Sequence, residues 1–229
     1  MLHGLLIGIL GTCLAAQGAG GPAVPATGRR VADFVPPGWQ IEQQLRADLG
    51  GDSRPDAVLM LIEPERDGAD RRRLLVVLLA RGTADWQRVG LGPRVLLCSG
   101  CFGPLDGAPR VRILNHVLLV QQDGGSRYAI DRTQRFRYEP ATGRMRFIGE
   151  ERDVLDRHSL SNAHYSSNLL TGQQRIDVNV PEKQTITSSR RRAFSLAAWY
   201  LESVDNECNA QACLPWLPAS HNHYDGLPR

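Results

Sequence analysis

The sequence predicts a mainly β protein, an antiparallel meander forming a sandwich or partial barrel, with one late C-terminal helix. Short apolar segments alternate with turn residues at intervals of about eight to twelve positions, the spacing of antiparallel strands rather than of strands alternating with helices. Within residues 133–138 alternate residues change character, so one face can pack while Arg135 and Arg137 face water. Only residues 193–204 place apolar side chains (Phe194, Ala197, Ala198 and Leu201) at a helical spacing.

At the start of the chain, residues 1–20 hold an uncharged apolar run, residues 5–10, followed by small residues. That is the outline of a secretory signal peptide, and the run is too short to span a bilayer. Ala16 and Gly18 fit a small-residue cleavage site, although His3 is the only basic residue ahead of the run. Residues 10–13 also form a degraded lipobox, with Thr12 where Gly or Ala is usual, so a lipid anchor at Cys13 is the alternative to soluble export. Residues 21–32, rich in Gly, Ala and Pro, are expected to be a flexible spacer.

Residues 33–192 form the expected β-domain. Strands are expected at residues 39–45, 57–63, 74–80, 86–89, 95–98, 111–114, 117–122, 128–138 and 145–152, with a last hairpin of residues 157–169 and 174–180. Asn115-His116, Asp123-Gly124-Gly125, residues 139–143 and Thr171-Gly172 supply the turns. The helix at residues 193–205 and a Cys-containing, partly disordered tail at residues 206–229 complete the chain. Nothing after residue 20 is long and apolar enough to be a membrane helix. The strand count is too small for a propeller, and no fixed-period repeat supports a solenoid.

The most informative segment is Asp48-Leu49-Gly50-Gly51-Asp52-Ser53-Arg54-Pro55-Asp56, which runs straight into the apolar residues 57–62. Acids at loop positions one, five and nine followed by a strand are a calcium-loop pattern, with Asp48, Asp52, Asp56 and the carbonyl of Arg54 as ligands. Gly50, Ser53 and Leu59 stand where the pattern has an oxygen donor, a Gly and a Glu. Calcium takes about six to eight oxygens, so the expectation is a weak calcium site or an acidic turn without its metal.

This loop resembles the D-x-N-x-D-G-x-x-D loop of FG-GAP and VCBS-type repeats. Residues 33–180 resemble a group of uncharacterised secreted bacterial proteins built around one such loop. The likeness rests on Phe34-Val35-Pro36-Pro37-Gly38-Trp39 ahead of the loop and on Cys98-Ser99-Gly100-Cys101-Phe102-Gly103 as a paired-cysteine turn. Gly124-Gly125-Ser126, Phe136-Arg137-Tyr138 and Phe147-Ile148-Gly149 carry its later part. The resemblance implies a secreted or envelope β-domain and carries over no activity.

Removal of a leader containing Cys13 leaves Cys98, Cys101, Cys208 and Cys213, an even number that in an oxidising compartment points to two disulfides. Three connectivities are open. Local pairing, Cys98 with Cys101 and Cys208 with Cys213, is the expectation, and half a zinc site or a redox pair are the alternatives for the first two. Turn residues after Cys101 speak against the helix start that lowers a redox thiol pKa.

The net charge is +3, nearly every base is Arg, and Lys183 is the only lysine. Acids interleave with Arg71-Arg72-Arg73 and weaken its field, so no nucleic-acid partner is expected. No nucleophile elbow, zinc-binding helix or phosphate loop occurs. The expected function is an exported, non-enzymatic β-domain, periplasmic or secreted, that binds an unidentified ligand or envelope protein. The alternatives are a cell-envelope hydrolase using the later carboxylates Glu150, Glu151, Asp153 and Asp156 with His158, or a thiol-active periplasmic protein using Cys98 and Cys101.

Overall fold

The computed structural model describes residues 22–65, 68, 70–82, 85–101, 108–181, 186–191 and 200–204. Strands β1 (Thr27–Gly28), β2 (Gln40–Ala47), β3 (Asp56–Ile62), β4 (Arg73–Arg81) and β5 (Asp85–Gly92) form one antiparallel sheet in the order β1-β5-β4-β3-β2. Strands β6 (Arg110–Leu114), β7 (Val117–Gly124), β8 (Tyr128–Glu139), β9 (Arg144–Asp156), β10 (Asn162–Asn168), β11 (Gln173–Asn179) and β12 (Ile186–Arg191) form a second, in simple meander order. Of the two expected architectures the sandwich forms, and neither sheet closes into a barrel.

β3 and most of β4 are buried at successive positions, which requires cover on both faces of that sheet. One face meets the second sheet in the main core, where Val58, Met60, Leu75 and Val77 pack with Leu118, Val120, Phe136 and Met145. On the other face Ala57, Leu59, Leu61, Leu74, Val76 and Leu78 lie under Val24 and Phe34, with Val31, Val35 and Trp39 alongside. The stretch expected as a flexible spacer is therefore partly structural. Thr27–Gly28 pairs with β5, Ala26 accepts the Arg88 amide, and a 3-10 turn at Val31–Phe34 seats the fully buried Phe34 ring.

Three other expectations are corrected. Residues 95–98 are buried or half-buried but are not a strand. The Gln122 side chain takes the place of a ladder, its oxygen accepting from the Leu97 amide at 2.7 Å and its nitrogen donating to the Val95 carbonyl at 2.9 Å. Residues 157–159 are a turn rather than the start of a strand, because the Asp156 carboxylate accepts from the His158 amide and the Ser159 hydroxyl.

Of the expected late helix, residues 193–199 and 205 lie outside the described residues. Tyr200 is extended rather than helical and is bridged to Arg146, and Leu201–Ser203 form a single 3-10 turn wedged between β5 and β9. The expected leader with Cys13 and the tail with Cys208 and Cys213 also lie outside the described residues. No helix among the described residues is long and apolar enough to cross a membrane.

Candidate functional site

The acidic loop is assembled by its own backbone. Gly51 and Ser53 both have positive φ, 78° and 64°, and this turns successive amides inward. The Asp48 carboxylate accepts from the amides of Gly51, Asp52 and Ser53 at 2.6, 3.2 and 2.9 Å. Partial burial pushes its pKa up, but these three amides outweigh that and hold it below the ordinary range. Asp52 is held low by the Arg54 guanidinium, which folds back onto it, and by the Arg54 amide. Asp56 is 1% exposed and accepts from Leu49, Gly50 and Ala80 at 2.8, 2.8 and 2.9 Å.

The expected ligands Asp48, Asp52, Arg54 and Asp56 thus share one loop, but each carboxylate serves a different set of donors. Among the described residues, the metal-ligating side chains whose ligand atoms all lie within 4.8 Å of one another are Asp70, Cys98 and Cys101, not the loop acids. His116 is an unforeseen neighbour: from the tight turn after β6 its Nδ1 lies 2.9 Å from the Asp48 carbonyl oxygen.

Cys98 and Cys101 are joined, with Cα atoms 5.2 Å apart. The bridged turn is tied to the start of β4, since the Ser99 amide donates to the Arg71 carbonyl and the Arg71 amide to the Ser99 hydroxyl. Asp70 lies against the bridge. Bonded to each other, the two sulfurs are not thiolate ligands, and Cys101 itself sits in a turn. Arg71, Arg72 and Arg73 do not form a common patch. They bind the Glu63 carbonyl, the Glu63 carboxylate and the Glu42 carboxylate respectively.

The outer face of the second sheet carries a hollow of about 470 Å³ that no local motif announced. Strand register makes it. Asp123 lies opposite Asp131, Asp131 opposite Asp153, Asp153 opposite His164, and His164 opposite Asp177. Ala129 and Leu155, also opposite one another, supply the small and apolar part of the lining, and Arg157 stands at the rim. Like charges facing each other across strands destabilise a sheet. Arg110 offsets the row at Asp123 (2.9 Å), the His164 Nδ1 lies 2.7 Å from an Asp153 carboxylate oxygen, and Asp131 has a 3.4 Å contact from Gln121.

The inner face holds a second polar group. Arg132 lies opposite Arg152, and the Arg132 guanidinium binds Glu150 through two nitrogens at 2.9 and 2.6 Å. Arg152 stacks over the Tyr165 ring at 4.4 Å, and burial lowers its pKa. The Tyr165 hydroxyl is buried without a hydrogen-bond partner, and burial pushes it up to about 12.

The residues of the hydrolase alternative are not gathered. Alternation along β9 sends Glu150 and Asp156 to the inner face and Glu151 and Asp153 to the outer one. Asp156 is consumed by a bidentate Arg127 at 3.1 and 3.0 Å and by the turn after β9, to which His158 contributes its amide. Asp153 instead meets His164, a partner set by the register of β10. Comparison of the chain with family models, with curated proteins and with solved structures gave no match.

Proposed function

We propose that this chain is an exported, non-enzymatic β-domain acting as an envelope-associated binding module, with the hollow on the outer face of the second sheet as its recognition surface. The observation that carries this is the registered row Asp123, Asp131 and Asp153 along a hollow whose volume lies in the range of ligand sites. It rests on hydrogen-bonded strands, so the acids are held in place before any partner arrives. A basic side chain on a peptide or protein partner suits it: the cation relieves the repulsion within the row, while its apolar stem lies on Ala129 and Leu155. The expected leader and the Cys98–Cys101 bridge support an oxidising compartment.

Titration of isotope-labelled protein with a lysine-containing tetrapeptide amide tests the site, with the glutamate counterpart as control. The basic peptide alone shifts the amides of Ala129, Asp131 and Leu155, and Asp131→Asn with Asp153→Asn removes the shifts. Equal shifts from both peptides, or none, would sink the site. Recovery of the natural protein from the cytoplasm with Met1 retained would sink the export.

A further inference from the structure

The hollow on the outer face has two poles. Asp123, Asp131 and Asp153 line one end of it and Arg157 the other. Alternation along β9 places Asp153, Leu155 and Arg157 on one face, because residues two and four apart point the same way. The Arg157 amide donates to the Arg127 carbonyl at 3.0 Å, which carries the β8–β9 pairing one step past Asp156 and keeps Arg157 in line with the strand. Four residues of extended chain set the poles about 13 Å apart.

Arg157 is anchored through a neutral partner. Its Nη1 donates to the Ser126 carbonyl at 2.6 Å, and among the described residues it enters no ion pair. Arg127, at the same end of the sheet, is instead paired with Asp156. Between the poles the floor is Ala129 opposite Leu155, and Asn162, the β10 neighbour of Leu155, adds a side-chain amide to the lining.

A ligand that carries a cation, an apolar stem and an anion in that order matches this layout. A basic residue inside a chain supplies only the first two. At the end of a chain it supplies all three, because its α-carboxylate follows the stem, and a guanidinium is well shaped to bind a carboxylate. A free basic amino acid has the same groups but also an α-ammonium beside the carboxylate, which brings a like charge up to Arg157. In a peptide that nitrogen is a neutral amide.

We infer that the hollow takes the C-terminal Lys or Arg of a peptide or protein partner, with the side-chain cation on the aspartate row and the α-carboxylate on Arg157. This rests on the hollow being the recognition surface and adds a requirement for a free chain end. An internal lysine then binds through the aspartate row alone.

Titration of the labelled full-length protein with two N-acetylated tetrapeptides, both Ala-Ala-Ala-Lys, one a C-terminal acid and the other its amide, tests the inference. The acid should bind about tenfold more tightly than the amide and shift the amides of Arg157 and Asn162 as well as those of Ala129, Asp131 and Leu155. Arg157→Gln should remove the difference between the two peptides. Equal affinities in the parent protein, a comparison that needs no variant, would overturn the chain-end requirement while leaving the hollow as a site for basic side chains. So would a difference that persists in Arg157→Gln, or free lysine binding as tightly as the acid peptide. Absence of shifts from either peptide would remove the recognition surface itself, and this inference with it.

Discussion

Asp56 and Ala80 are joined across adjacent strands: one Asp56 oxygen accepts the Ala80 amide at 2.9 Å, just beyond the point where the β3–β4 ladder ends at Ala57 and Leu78. The other oxygen takes the amides of Leu49 and Gly50. The last acid of the calcium-like pattern is thus a buried fastener between loop and sheet. Replacement by Ala leaves three amides without their acceptor, that of Leu49 buried and those of Gly50 and Ala80 partly buried, and is expected to cost about 3 kcal/mol in urea denaturation. Asp52→Ala, which removes only an exposed pairing with Arg54, changes the midpoint little. Equal effects from the two would contradict this division of roles.

Calcium has little to add to a loop whose carboxylates are already bonded. Melting in excess chelator and in several millimolar calcium is expected to give the same midpoint. Binding with a dissociation constant near the ambient calcium level would contribute only about 0.4 kcal/mol. A rise of many degrees in calcium would show that Asp48, Asp52 and Asp56 rearrange around an ion.

The same residues show how far the sequence can be read. The acidic loop, the Asn115-His116 turn and the antiparallel order were legible because their signals are local. Both turn residues adopt the positive φ that a two-residue hairpin demands. The turn at residues 157–159 was not legible, since it has neither Gly nor Pro and is built by the Asp156 side chain. Nor was the role of Gln122, which stands between the polar residues Gln121 and Asp123, because its partners at residues 95 and 97 are remote in sequence. The hollow depends on register across three strands, and aspartates scattered at positions 123, 131 and 153 carry no mark that they will align.

Acid is expected to unfold the chain through its paired carboxylates. Asp48, Asp52 and Asp156 are all held below 3.8 and Glu139 below 4.5, the last mainly by the Tyr200 hydroxyl. A depressed folded-state pKa gives stability that is present above the unfolded value and lost as pH falls through the folded one. Stability contributed by these groups should therefore be level above about pH 5 and fall steadily below about pH 4.5. Arg127 is the main cause of the Asp156 depression, so Arg127→Gln should flatten part of that acid slope. Urea midpoints measured from pH 2 to 7 in both proteins would reveal an unchanged slope, which would rule Arg127 out.

The Cys98–Cys101 bridge spans three positions, and a loop that short restrains the unfolded chain by only about 2 kcal/mol in the chain-entropy model. Cys98→Ser with Cys101→Ser is expected to lower stability by about that amount and to loosen the Ser99 contacts with Arg71. Hydrogen exchange in β9 to β11 should stay as it was. Loss of the whole fold on reduction would mean that this short bridge holds far more than its own turn.

Gly90 makes the seat for the late 3-10 turn. A Cβ placed there would come within 2.8 Å of Leu201 and of Met145, both fully buried. Gly90→Ala must push one of them aside, and overpacking of this kind costs about 1–3 kcal/mol. The displaced partner should be Leu201, because its 3-10 turn is three residues long whereas Met145 is fixed in the longest hairpin of the sheet. Combining Gly90→Ala with Leu201→Ala should then cost less than the two changes added together, since the smaller side chain makes room for the new methyl group. Strict additivity in that double-mutant cycle would show that Met145 yields instead, and that the C-terminal end of the described chain is anchored through Tyr200 and Val204 rather than through Leu201.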